Sequence, residues 1–333
     1  MVGGFRMPKN VLFFGDFGID DIMALIYAYY EDGINTVGIV AEYGNVSKFQ
    51  AMRNAIYLRE LTGRGDIPII GGAERSSLGT TPTFYPEIHG PEGFGGFAPQ
   101  FEGEAPIDLF ENFHVIYDII EKYDGDLVIV NTGRLTSLAT SFILYPETME
   151  KVKEVYIMGG AFNFPGNVTP VAEANIYGDP YAANVVFTFA ENLSIIPLNV
   201  TQKAVLTPQM INLIDKKATE ANNPIGKIIK PMMDFYYQFY KAQIPTIEGA
   251  PLHDLLALWA AINKDSVSYV NRPVKVVSSI GDAFGQTIGD LRELIQLAPY
   301  PNHNFAIDFD YEKFINRVLH VLTNDMLHPN TKD

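Results

Sequence analysis

Cysteine is absent from the 333-residue chain and tryptophan occurs once. No disulfide is therefore available, and a chain this long with 47% hydrophobic residues can bury a large core without one. Basic residues are also scarce, 24 Lys and Arg against 39 Asp and Glu, for a formal charge of -15. Such a surface argues against a nucleic-acid partner, which is gripped by clustered Lys and Arg. No stretch approaches the roughly 18 consecutive apolar residues of a membrane span, and the opening MVGGFRMPKN lacks the apolar run of a secretory signal. Together these absences predict a cytoplasmic protein with no membrane and no nucleic-acid role. A small ligand, bound through a cation, suits the acidic balance better.

What is present is a regular alternation. Short β-branched or aromatic runs are each followed by a helical pattern: NVLFF then IDDIMALIYAYYED, TVGIVAEY then KFQAMRNAIYLRELTG, DLVIVN then LTSLATSFILY, EVYIMGG then DPYAANVVFTFA. Near-continuous apolar strands joined through helices predict an α/β fold, a mostly parallel central sheet with helices on both faces. Further strands are expected at LSIIPLN, VKVVSS and NFAIDFD, and helices around 207–217, 224–242, 253–263 and 311–326. No composition break or repeat marks a linker, so residues 1–333 read as a single domain. Residues 76–105, rich in Gly, Pro and aromatics and without period, read as a candidate active-site lid.

Three acids, Asp16, Asp20 and Asp21, fall within six residues where the first strand hands over to its helix, in VLFFGDFGIDD. In an open parallel sheet ligands bind beyond the carboxyl ends of the strands, which is where Asp16 would stand. Asp20 and Asp21 can be read as helix-start acids that complement the positive end of the helix. A third acid at close range raises repulsion unless something positive sits among them, and a hard cation such as calcium or magnesium is the simplest such partner. Other candidates at strand ends are Thr132, Asn167, Glu173, Asn175, and the adjacent His253 and Asp254. Taken singly, each also reads as a turn, loop or capping residue. An alternative use of the first acid as a phosphoryl acceptor wants a second Asp two residues on, where the chain has Gly18.

These residues resemble the nucleoside hydrolases, also called the inosine-uridine preferring nucleoside hydrolase family. The family signature D-x-D-P-G-x-D-D corresponds here to FGDFGIDD, and the similarity continues in order through EYGN, IHGPEGFGG, NTGRLT, IMGGAF, GNVTPVAEANIYGDP and PLHD. The resemblance implies hydrolysis of the N-glycosidic bond of a ribonucleoside to ribose and free base, by a homo-oligomer, a dimer or tetramer. Carried over motif by motif, it implies that Asp16, Asp21, Asp254 and the backbone carbonyl of Thr132 hold a calcium ion. Asp20, Asn45, Asn167, Glu173 and Asn175 would contact the ribose, and His89, in the candidate lid, would contact ligand. Asp16 would act as general base on a water whose pKa the ion lowers, and His253 as the acid that protonates the departing base. Aromatics such as Tyr236 and Tyr240 could stack on a base, but at helical spacing such residues are more often core or helix contacts. Base preference, purine or pyrimidine, would rest on the lid and on residues 240–249.

The chain departs from the signature at two points that bear on metal binding and rate. Phe14 and Phe17 stand where the family has its first Asp and its Pro, and Asn199 in PLNVTQ stands where the family commonly has Asp. Loss of supporting acids can cost 10- to 100-fold in affinity or activity. A nucleoside- or ribose-binding protein with weakened or absent turnover is therefore the alternative reading.

Overall fold

The computed structural model describes residues 7–99, 112–294, 296 and 298–327. Its strands are β1 (Lys9–Gly15), β2 (Ile34–Ala41), β3 (Ile69–Gly71), β4 (Leu127–Asn131), β5 (Glu154–Met158), β6 (Leu193–Ile196), β7 (Val205–Leu206), β8 (Ala250–Pro251), β9 (Val267–Val276), β10 (Thr287–Gly289) and β11 (Asn302–Phe309). Nine of them form one sheet in the order β10-β9-β11-β6-β5-β4-β1-β2-β3, and β7 pairs with β8 alone. From β3 across to β11 the pairing is parallel, and β9 and β10 close that edge antiparallel. All seven expected strands are present, and the mostly parallel α/β sheet is as expected. The three-residue β3 and β10 went unpredicted because so short a run carries no period.

Alternation along β1 shows how the sheet is covered. Val11 and Phe13 enter one core cluster, with the helices Ile19–Tyr30, Lys48–Leu61 and His253–Ile262; Leu12 and Phe14 enter the other, with Thr136–Leu144 and Pro180–Phe189. Each face buries its own apolar layer, which is why the strand reads as an unbroken apolar run. Phe14 is therefore a core residue without exposed surface. An acid at that position would need a partner that its apolar neighbours do not offer.

The strand order reverses between β1 and β4, since the chain builds outward through β2 and β3 on one side and through β5 and β6 on the other. Crossovers diverge there and leave a crevice at the carboxyl ends. The Thr132 N–H, just past β4, donates to the Phe14 carbonyl at 2.9 Å, so the two strand ends are fixed against each other at that point. Asp16 and Thr132 emerge on its two sides. Of the expected lid, 76–99 is described and 100–105 lies outside the described residues. Its described part carries a four-residue helical turn, Pro86–His89, and Tyr85 ties it to the end of β2 by donating N–H to the Asn45 carbonyl at 3.1 Å.

Candidate active site

The turn after β1 is built to hold acids. Phe17 takes φ 44, an uncommon conformation for a bulky residue, and its ring is wholly buried against Phe13. The reversal lets the helix Ile19–Tyr30 start at once. The Gly18 N–H donates to Asp21 Oδ2 at 3.1 Å, and Thr132 Oγ1 donates to Asp21 Oδ1 at 2.7 Å. Asp16 has no exposed surface; it accepts the Asn45 N–H at 2.7 Å and the Asn45 amide Nδ2 at 2.9 Å. Gly44 makes that clamp possible, because a Cβ there would stand 1.8 Å from Asp16 Oδ2.

Asp254 sits on the first turn of His253–Ile262, a helix that packs with Ile19–Tyr30 in the same core cluster. Ligand oxygens of Asp20, Asp21 and Asp254 all lie within 4.8 Å of one another. Burial is the main reason these acids titrate high, and each other's charge is the second. Asp20 is raised to about 7 by burial and by Asp16; Asp21 to about 6 by burial and by Asp20. Asp254 and Asp16 are likewise pushed well above the ordinary carboxylate range, by burial first and neighbouring acids second, with Arg134 opposing the rise at Asp16.

This donor set fits a hard divalent cation. It is buried, all oxygen, and deficient in positive charge, and Asp20 Oδ1 is sealed from solvent without a hydrogen-bond partner. Asp20, expected to contact the ribose, joins Asp21 and Asp254 in this group, and Asp16 lies beside them with its two oxygens accepting from Asn45. The Thr132 carbonyl accepts the Asn175 amide at 2.7 Å, which leaves one lone pair for another partner.

The remaining expected residues fall into three groups. Asn45 and Asn175 are in contact with the acids or their supports. Asn175 Nδ2 also reaches the Met158 carbonyl at 3.2 Å, and its Oδ1 accepts from Arg134 at 2.5 Å. Glu173 caps the short helix Ala174–Gly178 through Asn175 N–H and Ile176 N–H and holds the Gly160 N–H at 2.9 Å. Asn167 stands apart, exposed on its loop and accepting from the Ala174 N–H at 2.9 Å.

Both histidines are buried and neutral. Burial lowers His253 to about 4; its Nδ1 pairs with Thr201 Oγ1 at 2.8 Å and its Nε2 with Tyr240 OH at 3.1 Å. Burial first, and the Arg134 guanidinium next, bring His89 to about 3, and its Nδ1 accepts the Ile19 N–H at 3.0 Å. Asn199, one of the departures, accepts the Phe162 N–H at 3.0 Å and donates to the Phe162 carbonyl at 2.8 Å. A carboxylate could not make the second of these bonds.

Two charged residues of the site had no role assigned from sequence. Glu42, at the end of β2, is buried and raised to about 8 by burial; one oxygen accepts the Ser137 N–H and hydroxyl and the other has no partner. Arg134 is 3% exposed and places Nη1 3.8 Å from Asp16 Oδ2. The signal available was a charge within three residues of the end of an apolar strand in both VAEYGN and VNTGRL.

Buried acids and imidazoles gathered at the switch point of an open parallel sheet define an α/β enzyme with an acidic site. Residues 11–316 match the inosine-uridine preferring nucleoside hydrolase family. Uridine nucleosidase 1 of Arabidopsis thaliana is 33% identical over 279 residues, 83% of this chain and 80% of its own length. Among solved structures, a plant nucleoside hydrolase (PpNRh1) superposes with TM-score 0.88 at 29% identity, covering 95% of this chain and 99% of the other. The purine-preferring ribonucleoside hydrolase from Gardnerella vaginalis gives 0.87 at 29%, covering 96% and 100%. The chain belongs to the inosine-uridine preferring nucleoside hydrolase family. It is a ribonucleoside hydrolase, an enzyme of N-glycosidic bond cleavage. Among the described residues no helix is long and apolar enough to cross a membrane.

Proposed function

We propose that the chain hydrolyses ribonucleosides with a calcium ion held by Asp20, Asp21, Asp254 and Asp16 with the Thr132 carbonyl. The observation that carries this reading is the meeting of three buried carboxylates, one with an unpartnered oxygen, at the sheet's switch point. Calcium, when bound, would lower the pKa of a water and grip the ribose diol. Asp16, fixed by Asn45, takes the proton of the attacking water as its oxygen bonds to the anomeric carbon. The bond from that carbon to the base nitrogen breaks, with its electrons leaving on the base. Acidic side chains around the ring favour the positive charge that develops on the sugar.

The departing base takes up a proton, and His253, paired with Tyr240 and Thr201, is our choice of its source. A neutral imidazole still carries one N–H, and the proton it passes to the base would be restored from solvent, since burial and Asp20 disfavour an anion on the Tyr240 hydroxyl beside it. Asn45, Asn175, Asn167 and Glu173 would orient the ribose. The relatives named above differ in base, uridine for one and purine for another. The choice here is assigned to residues 76–99 and to the neighbourhood of Tyr240.

The test is release of free ribose from inosine, adenosine, guanosine, uridine and cytidine, with calcium or with a strong chelator. Calcium-dependent release supports the reading and gives base preference. Absence of release, with nucleoside binding seen by calorimetry, would move the assignment to a binding protein.

A further inference from the structure

Arg134 brings a permanent positive charge into a site otherwise dominated by acids. It leaves the loop after β4, is 3% exposed, and points its guanidinium between Asp16 and Asn175. The contact with Asn175 is a hydrogen bond from Nη1 at 2.5 Å, and that with Asp16 Oδ2 is an ion pair at 3.8 Å. Space for it is provided by Gly178, where a Cβ would stand 2.3 Å from both Cδ and Nε of Arg134. On its other side lies the ring of Tyr85, 6.0 Å from the guanidinium carbon, at the wall of a cavity of about 220 Å³ that Arg134 also lines.

The bond to Asn175 fixes more than one side chain. With Oδ1 accepting from Arg134, the Asn175 amide must turn its N–H groups toward the carbonyls of Thr132 and Met158, at 2.7 and 3.2 Å. Those carbonyls stand at the ends of β4 and β5, so one guanidinium sets the amide that ties two strand tips beneath the acids. A reversed amide would aim its oxygen at both carbonyls and its nitrogen at the guanidinium. Arg134 makes that arrangement unfavourable.

We propose that Arg134 is a positioning residue for the hydrolysis, acting through Asn175 and Asp16 to hold the ribose-facing side of the site in register. This rests on the function proposed above. It assigns to Arg134 a role in turnover rather than in folding alone, and to Gly178 the role of keeping its place open.

The experiment is a double-mutant cycle on nucleoside hydrolysis, with R134M, N175A, the double variant, R134K and G178A, each checked by thermal melting. R134M is expected to lower kcat roughly 10- to 100-fold, the range for a displaced active-site group. The double variant should then lose little more than the worse single variant, because both remove one unit. R134K should recover part of the rate, since a lysine restores the charge without the planar fork. G178A should reproduce the kcat loss with some loss of melting temperature, because its Cβ would stand 2.3 Å from a buried arginine that must then shift. On a deoxynucleoside that abolishes the N175A penalty, the R134M penalty should shrink too. Multiplying penalties in the double variant, or wild-type kcat in folded R134K and G178A, would overturn the proposal. Failure of the parent protein to release ribose would instead overturn the function on which it rests.

Discussion

The imidazole of His89 accepts the Ile19 N–H at 3.0 Å, so a side chain from the segment before Gly90 caps the helix that carries Asp20 and Asp21. Gly18, the residue at the capping position, has no side chain to do this, and a Cβ there would stand 2.5 Å from His89 Nδ1. The acceptor role requires a neutral ring. Burial supplies it by lowering the His89 pKa to about 3.

His89→Ala should therefore cost about 1 kcal/mol of stability, the usual worth of a lost cap. His89→Gln, which keeps an acceptor, should recover part of it. A histidine lowered from 6.5 to about 3 on folding binds fewer protons folded than unfolded between those values. Its contribution is thus complete above about pH 6.5 and is lost as pH falls toward 3. Thermal melting of chelated protein from pH 7 to 4 should show a shallower decline in His89→Gln than in wild type; an equal slope would reject the neutral cap.

The acidic cluster predicts a crossing in stability. With no cation, Asp20, Asp21 and Asp254 disfavour one another's charge, and burial disfavours all three. Asp254→Asn should then raise the melting temperature in chelator at neutral pH by removing one of them. In calcium the order should invert, because wild type gains RT ln(1 + [L]/Kd) and the variant binds the ion less tightly. Paired melts with a calcium titration would check this, and a variant less stable under both conditions would argue against a cation site.

Much of this site was legible because acids at a strand-to-helix junction are rare enough to be noticed, and because apolar runs alternating with helices fix where strand ends lie. Asp21 and Asp254 come together from elements far apart in sequence, and Thr132 bonds to Asp21. What could not be read was direction. Asp20 turns toward Asp254, and Asp16 toward Asn45, because Gly44 permits a close approach that no spacing encodes. Arg134 was passed over for a similar reason: an arginine in a loop reads as solvated unless one knows that Gly178 leaves a slot for it. The Tyr240 and Thr201 partners of His253 lie 13 and 52 residues away, a tertiary relation without local signature.

His253 and Tyr240 give a leaving-group prediction. If this pair protonates the departing base, His253→Ala should slow inosine or uridine far more than p-nitrophenyl riboside, whose leaving group departs without a proton. General acid catalysis is typically worth 10²- to 10⁴-fold, and that is the expected gap between substrates. Tyr240→Phe should show the same selectivity to a smaller degree, since it removes a hydroxyl but leaves the imidazole. Steady-state kinetics on both substrates would decide it; equal loss on each would assign His253 to structure alone.

Phe17 makes the strongest test of how this chain differs from the family signature, which has proline in that place. Its φ of 44 lies far from the roughly -65° that a proline ring imposes. Reinstating the signature residue by Phe17→Pro should consequently damage the turn between Asp16 and Asp20, although it restores the familiar sequence. It also empties the space of a ring that has no exposed surface, and removing a large buried side chain costs about 3–5 kcal/mol. Phe17→Gly separates the two effects, for glycine loses the same ring but accepts positive φ without strain. Both variants should melt below wild type, with Phe17→Pro lower and binding calcium more weakly by calorimetry. Equal stability and equal calcium affinity in the two would mean that the left-handed turn does not organise the acids.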